Sequence, residues 1–151
     1  MNPFPFSEAD WSRVEHASLD VVNATLMDDD VLSESRRIVL GNLLLELRER
    51  YGDHPILLET EADFATDSAQ RCELYRRSIT LAERNGLLTY TARLSLAELH
   101  LTEFRETENA RRELLACKLE VETHADEHES RNWHDLLGKC NAPSCEPTSG
   151  D

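Results

Sequence analysis

Residues 54–85 and 93–124 carry one pattern of apolar spacing at an offset of 39 residues, and this repetition narrows the possible folds more than any other feature of the chain. Leu57, Leu58, Ala62, Ala65, Tyr75 and Ala82 fall opposite Leu96, Ala97, Leu101, Phe104, Leu114 and Val121, and small Ser78 falls opposite small Cys117. A helical hairpin has an apolar face that it cannot bury alone, so hairpins repeated at this period stack on their neighbours. The pattern predicts an all-α protein, a short stack of about three antiparallel helical hairpins. Stacks of this kind bind other proteins along extended surfaces and seldom carry chemistry, which directs the functional reading toward binding.

The elements can be placed from their punctuation. Pro3 and Pro5 make an extended lead-in, and Ser7 with Asp10 three residues later marks a helix start. Trp11, Val14, Val21, Val22 and Leu26 follow at roughly helical spacing. Asp28, Asp29 and Asp30 are expected in the turn, because acids at a helix C-terminus oppose its dipole. A second helix from about Ser33 carries Leu40, Leu44, Leu47 and Tyr51, a stripe widened by Ile38, Val39, Leu43 and Leu45. This helix is therefore expected to be the most buried, and Gly52 with Pro55 stops it.

Helix three runs from about Pro55 to Ala65, and Thr66, Asp67 and Ser68 supply a turn and cap for helix four. Helix four is striped by Cys72, Tyr75, Ile79 and Ala82 and closed by Asn85-Gly86. Helix five has Tyr90, Leu94, Ala97, Leu101 and Phe104, while helix six, capped by Thr107, has Ala110, Leu114, Cys117 and Val121. Residues 122–131 read as a solvated helical extension, and Trp133, Leu136 and Leu137 as an end cap on the stack. The expected organisation is a single helical-repeat domain over residues 1–138 and a flexible C-terminal tail over 139–151. Period-2 alternation is absent, so no sheet is expected.

Charge bounds the partners. Acids outnumber Lys and Arg by 30 to 16, a net charge of −14, which repels nucleic-acid phosphates and anionic membrane surfaces. A basic protein partner is favoured, with the gain mainly in association rate and selectivity. The N-terminus has no basic stretch followed by an apolar one, and the longest apolar run, Leu43-Leu44-Leu45, is too short to span a bilayer. Cys72, Cys117, Cys140 and Cys145 lack the dense spacing of a secreted disulfide framework, so a cytoplasmic location is expected.

The run Glu73-Leu74-Tyr75-Arg76-Arg77-Ser78-Ile79-Thr80-Leu81-Ala82-Glu83 resembles the second helix of a tetratricopeptide-like repeat, with large Tyr75 and small Ser78 in the family's packing pattern. Leu58 and Ala62 match on the preceding helix, and Ala97, Leu101, Ala110, Leu114 and Cys117 match in the following unit. Arg71 departs from the pattern, standing where the next unit has Ala110. The resemblance implies a right-handed stack whose first helices line a concave groove for a partner. Residues 8–30 carry seven acids and one base, and residues 53–67 five acids and none, so acid concentrates on the elements expected to face that groove. The second helices are slightly basic. Asp20, Asp28, Asp29, Asp30, Glu59 and Asp63 are the candidate partner-binding residues, although charge runs are commonly just solvated faces.

Chemistry-bearing motifs are few. His124-Ala125-Asp126-Glu127-His128 matches the H-x-x-E-H pattern of inverted zinc peptidases, but lies in a polar stretch with too little chain after it for that catalytic context. His124, His128 and His134 with Cys140 and Cys145 form an alternative structural zinc set, making the C-terminus a metal-stabilised module. There is no Gly-x-Ser-x-Gly, Gly-rich loop or Gly-Lys-Ser/Thr, so no catalytic residue and no cofactor is assigned. The lead expectation is a non-enzymatic adaptor with an acidic helical groove for a protein partner. An immunity protein or antitoxin masking a basic toxin domain is the alternative from the same features.

Overall fold

The structure, a computed structural model, describes residues 1–142. Among these residues the chain is all-helical, with no strand. The helices are α1 (Glu8–Leu26), α2 (Asp30–Tyr51), α3 (Pro55–Phe64), α4 (Ser68–Arg84), α5 (Tyr90–Leu99), α6 (Thr107–Ala116), α7 (Lys118–His124) and α8 (Glu127–Asn141). A π-helical turn, His100–Phe104, follows α5. Chain contacts separate two compact units, one from Met1 to Ala92 and one from Arg93 onward.

In the first unit α1 packs on α2 and α3 on α4, and α2 meets α3. Its core is an aliphatic cluster of Val14, Ala17 and Val21 from α1 against Leu40, Leu43, Leu44 and Leu47 from α2, joined by Leu57. The hairpin turns follow from local chemistry. At the end of α1 the Asp28 N–H donates to the Thr25 carbonyl (3.1 Å) and the Asp29 N–H to that of Ala24 (3.2 Å). This Schellman pattern needs a left-handed residue, here Asp28 at φ 53°. The Asp29 carboxylate then accepts the Leu32 N–H at 2.9 Å and caps α2. Gly86, at φ 65°, closes α4 by the same pattern.

The lead-in is anchored as well. Phe6 is buried against Trp11, Tyr51 and His54, with ring centroids 5.1–5.3 Å apart. His54 is a core histidine whose Nδ1 accepts the Ile56 N–H, so Nε2 carries the proton it donates to the Asn2 carbonyl at 3.0 Å. Desolvation lowers its pKa and favours this neutral form.

Several expectations need correction. Helix α2 is not wholly wrapped: Leu40, Leu43, Leu44 and Leu47 are buried, but Ile38, Val39 and Leu45 are each more than half exposed. The interface takes only one face of the helix, and those three lie off it. Val22 and Leu26 of α1 are exposed for the same reason. The sixth helix breaks at Cys117 into α6 and α7, and the polar stretch beyond Val121 is a chain reversal instead of one extension. Asp126 starts a new helix there with a full capping box, its carboxylate on the Glu129 N–H and the Glu129 carboxylate on the Asp126 N–H.

In the second unit α8 packs on α6 and α7, with Trp133 and Leu136 buried and the Trp133 indole N–H donating to the Leu114 carbonyl at 2.8 Å. Helix α8 runs through Asn141, so Cys140, placed in the tail on the sequence, is a buried helix residue. The repeat positions agree in burial more than in detail. Leu57, Leu58, Ala62, Tyr75, Ser78 and Ala82 are buried, as are Leu96, Ala97, Leu114, Cys117 and Val121. Ala65, Leu101 and Phe104 are only half-buried.

Candidate functional site

The six candidate carboxylates lie on three elements, the α1–α2 turn, α1 and α3. Asp28, Asp29 and Asp30 lie exposed at the α1–α2 turn, where Asp28 holds the left-handed position and Asp29 the cap. Asp20 is exposed on α1 beside a shallow groove shared with Arg13, His16, Asn42 and Glu46. Glu59 and Asp63 lie on α3, and both carboxylates are engaged within the first unit. Thr91 Oγ1 donates to Glu59 at 3.1 Å, and the Tyr75 hydroxyl of α4 donates to Asp63 at 2.6 Å. Desolvation raises the Asp63 pKa against the lowering effect of Tyr75 and Arg71.

Other acids in the counted segments are neutralised by neighbouring helices. Arg48 of α2 reaches both Asp53 (3.1 Å) and Glu61 (2.8 Å). Asp10, read on the sequence only as part of the helix start, is a buried carboxylate at the hub of a cross-helix network whose other charged members are about half exposed. It accepts from Arg50 at 2.6 and 2.8 Å and from the Tyr51 hydroxyl at 2.6 Å. Arg13 binds Glu46 through two bonds of 2.8 and 2.9 Å, and Glu46 also takes Arg50 at 3.2 Å. The Tyr51 and Arg50 hydrogen bonds hold the Asp10 pKa at about 2, and the Arg13 bond lowers that of Glu46. This network ties α1 to α2.

Acids alone are found over residues 14–35, the C-terminal part of α1, the turn and the start of α2, between Arg13 before them and Arg36 and Arg37 after them. That stretch holds Glu15, Asp20, Asp28, Asp29, Asp30 and Glu34, with no Lys or Arg. It also carries exposed aliphatic side chains, of which the sequence pattern groups Val22 and Leu26 with the apolar residues of α1. Leu19, Val22 and Leu26 recur at three- and four-residue spacing on α1, followed by Met27 and Val31 around the turn. Leu26, Met27 and Val31 are 79%, 71% and 83% exposed. Single exposed aliphatics are ordinary, but Leu19, Val22 and Leu26 share one face of α1, and several on one face mark an interaction surface. The signal available in the sequence was their position opposite Val14, Ala17, Val21 and Ala24 on the helix.

The first unit also has a mainly apolar cleft of ≈ 350 Å³, walled by Ile56, Ile79, Ala82, Leu87, Leu88 and Ala92. Its floor offers no nucleophile–base pair. The Ser78 hydroxyl donates to the Pro55 carbonyl at 2.9 Å, and His54 is occupied at both ring nitrogens.

The zinc candidates do not assemble. His124 ends α7 and His128 begins α8, so the H-x-x-E-H histidines share no helical face, and His124, His128 and His134 are exposed. Cys140 is buried, and desolvation raises its pKa, which disfavours the thiolate a metal needs. Cys145 lies outside the described residues. Among the described residues no three His, Cys, Asp or Glu side chains converge as a metal site, and no helix is long and apolar enough to cross a membrane. Comparison with family models, with curated proteins and with solved structures found no match for this chain.

Proposed function

We propose that this protein is a non-enzymatic, tetratricopeptide-like adaptor that captures a basic protein partner, acting in the cytoplasm. The carrying observation is the stretch 14–35 of the α1–α2 hairpin, whose sequence holds six carboxylates and no Lys or Arg and which exposes Leu19, Val22, Leu26, Met27 and Val31. The tetratricopeptide-like reading is supported by the antiparallel pairs α1/α2 and α3/α4 and by buried Tyr75, Ser78 and Ala82 of α4 opposite Leu58 and Ala62 of α3. The capture surface is the hairpin's outer face, with Asp20, Asp28, Asp29 and Asp30 supplying the field. Glu59 and Asp63 contribute less, because their carboxylates already accept hydrogen bonds from Thr91 and Tyr75.

The test is retention of native-host proteins on the immobilised chain, followed by elution in a salt gradient. A basic protein is expected to be retained at low salt and released as salt rises. Substituting Asp20, Asp28 and Asp30 together by Asn is expected to move its elution to lower salt. Retention indifferent to both salt and these substitutions rules the acidic-capture reading out.

A further inference from the structure

The exposed aliphatics of the first hairpin are arranged, and the arrangement says what kind of segment fits them. Leu19, Val22 and Leu26 form one strip along α1, about 10 Å long at 1.5 Å per residue, directed away from the buried face that carries Val14, Ala17, Val21 and Ala24. Met27 at the end of α1 and Val31 in the first turn of α2 are exposed as well. These side chains are between 42% and 83% exposed. Their flanks are Glu15 before the strip and Asp28, Asp29, Asp30 and Glu34 beyond it.

We infer that this face is a docking site for a basic amphipathic helix, resting on the reading above that the partner is basic. Three features select that occupant. The anchors recur at helical spacing, so a partner helix with apolar residues at i, i+4 and i+7 meets them ridge against groove. Glu15 on α1 and Asp28, Asp29 and Asp30 at the turn attract Lys or Arg flanking the partner's apolar stripe, while an acidic amphipathic helix is repelled. An extended peptide has no comparable template, because the described residues contain no strand edge to pair with. Met27, unbranched and polarizable, adds a side chain that adapts to different apolar anchors.

The test uses the full chain and three synthetic 18-residue probes: a helix of Leu and Lys with its leucines on one face, a scramble of the same composition, and the same pattern with Glu for Lys. Binding is read by calorimetry at low salt. The patterned Leu/Lys helix is expected to bind at least tenfold more tightly than the scramble, and the Leu/Glu helix not to bind. Leu26→Ser with Met27→Ser is expected to abolish the preference for pattern, and Asp28→Asn with Asp30→Asn to weaken binding and flatten its salt dependence. Both pairs lie at exposed positions, and circular dichroism verifies that the variants are folded. Equal binding of patterned and scrambled probes overturns the helix inference while leaving capture of a basic partner standing. Binding of no basic probe overturns both. Self-association of the chain, abolished by the Leu26/Met27 substitutions, identifies a second copy as the occupant and overturns the inference as well.

Discussion

Asp10 shows how much one residue can carry when its partners come from another helix. Its carboxylate accepts from Arg50, Tyr51 and Arg13, and its own N–H donates to Ser7 at the helix cap. A carboxylate with a folded pKa of about 2 against an ordinary value of 3.8 stabilises the fold above the ordinary value. That contribution is lost as pH falls through the folded pKa. Asp10→Asn is therefore expected to lower the urea midpoint at pH 7, with the gap to the parent chain closing between pH 4 and pH 2. Urea melts across that range check it, and a gap independent of pH contradicts the assignment. None of this was legible in the sequence, because Arg50 and Tyr51 are 40 and 41 residues away and no local pattern links them to Asp10. The same blindness made the acids at Asp53 and Glu61 read as groove charge, although Arg48 neutralises both from the preceding helix.

Helices were the most readable level, because caps and stripes are local. Ser7, Asp67 and Gly86 sit where their chemistry requires. Burial was less readable, since periodicity shows that a face is apolar but not that anything covers it; Ile38, Val39 and Leu45 are the example. The second unit was misjudged where polar Asp126 and Glu129 close a capping box that starts α8, a signal read only as solvated charge. Glycine gives the element scale its cleanest prediction. Gly41 lies inside α2, and a Cβ there meets nothing within 4 Å. Gly41→Ala is expected to stabilise the protein by about 1 kcal/mol, by reducing the freedom of the unfolded chain. A Cβ at Gly86 also meets nothing within 4 Å, yet its φ of 65° makes Gly86→Ala destabilising by about 1 kcal/mol. Thermal melts of the two variants, shifting in opposite directions, distinguish backbone conformation from available space. Shifts of the same sign contradict the argument.

At the scale of the whole molecule, charge acts on folding and on binding with opposite signs. A net charge of −14 repels itself more strongly in the compact state than in the unfolded chain. Salt screens that repulsion, because the Debye length falls from about 30 Å at 0.01 M to about 8 Å at 0.15 M. The contact pairs are screened less than charges farther apart, and least where both partners are largely buried, as in Arg93–Glu113 at 2.5 Å and Arg48–Glu61 at 2.8 Å. The urea midpoint is therefore expected to rise across that salt range. Capture of a basic partner by the carboxylates of residues 14–35 uses the same field from outside, so its association rate is expected to fall over the same range. Urea melts and stopped-flow binding in one salt series measure both. A midpoint that falls with salt means that local pairs outweigh self-repulsion. An association rate unmoved while the midpoint rises means that the acidic surface stabilises nothing and attracts nothing, leaving apolar contact alone to hold the partner.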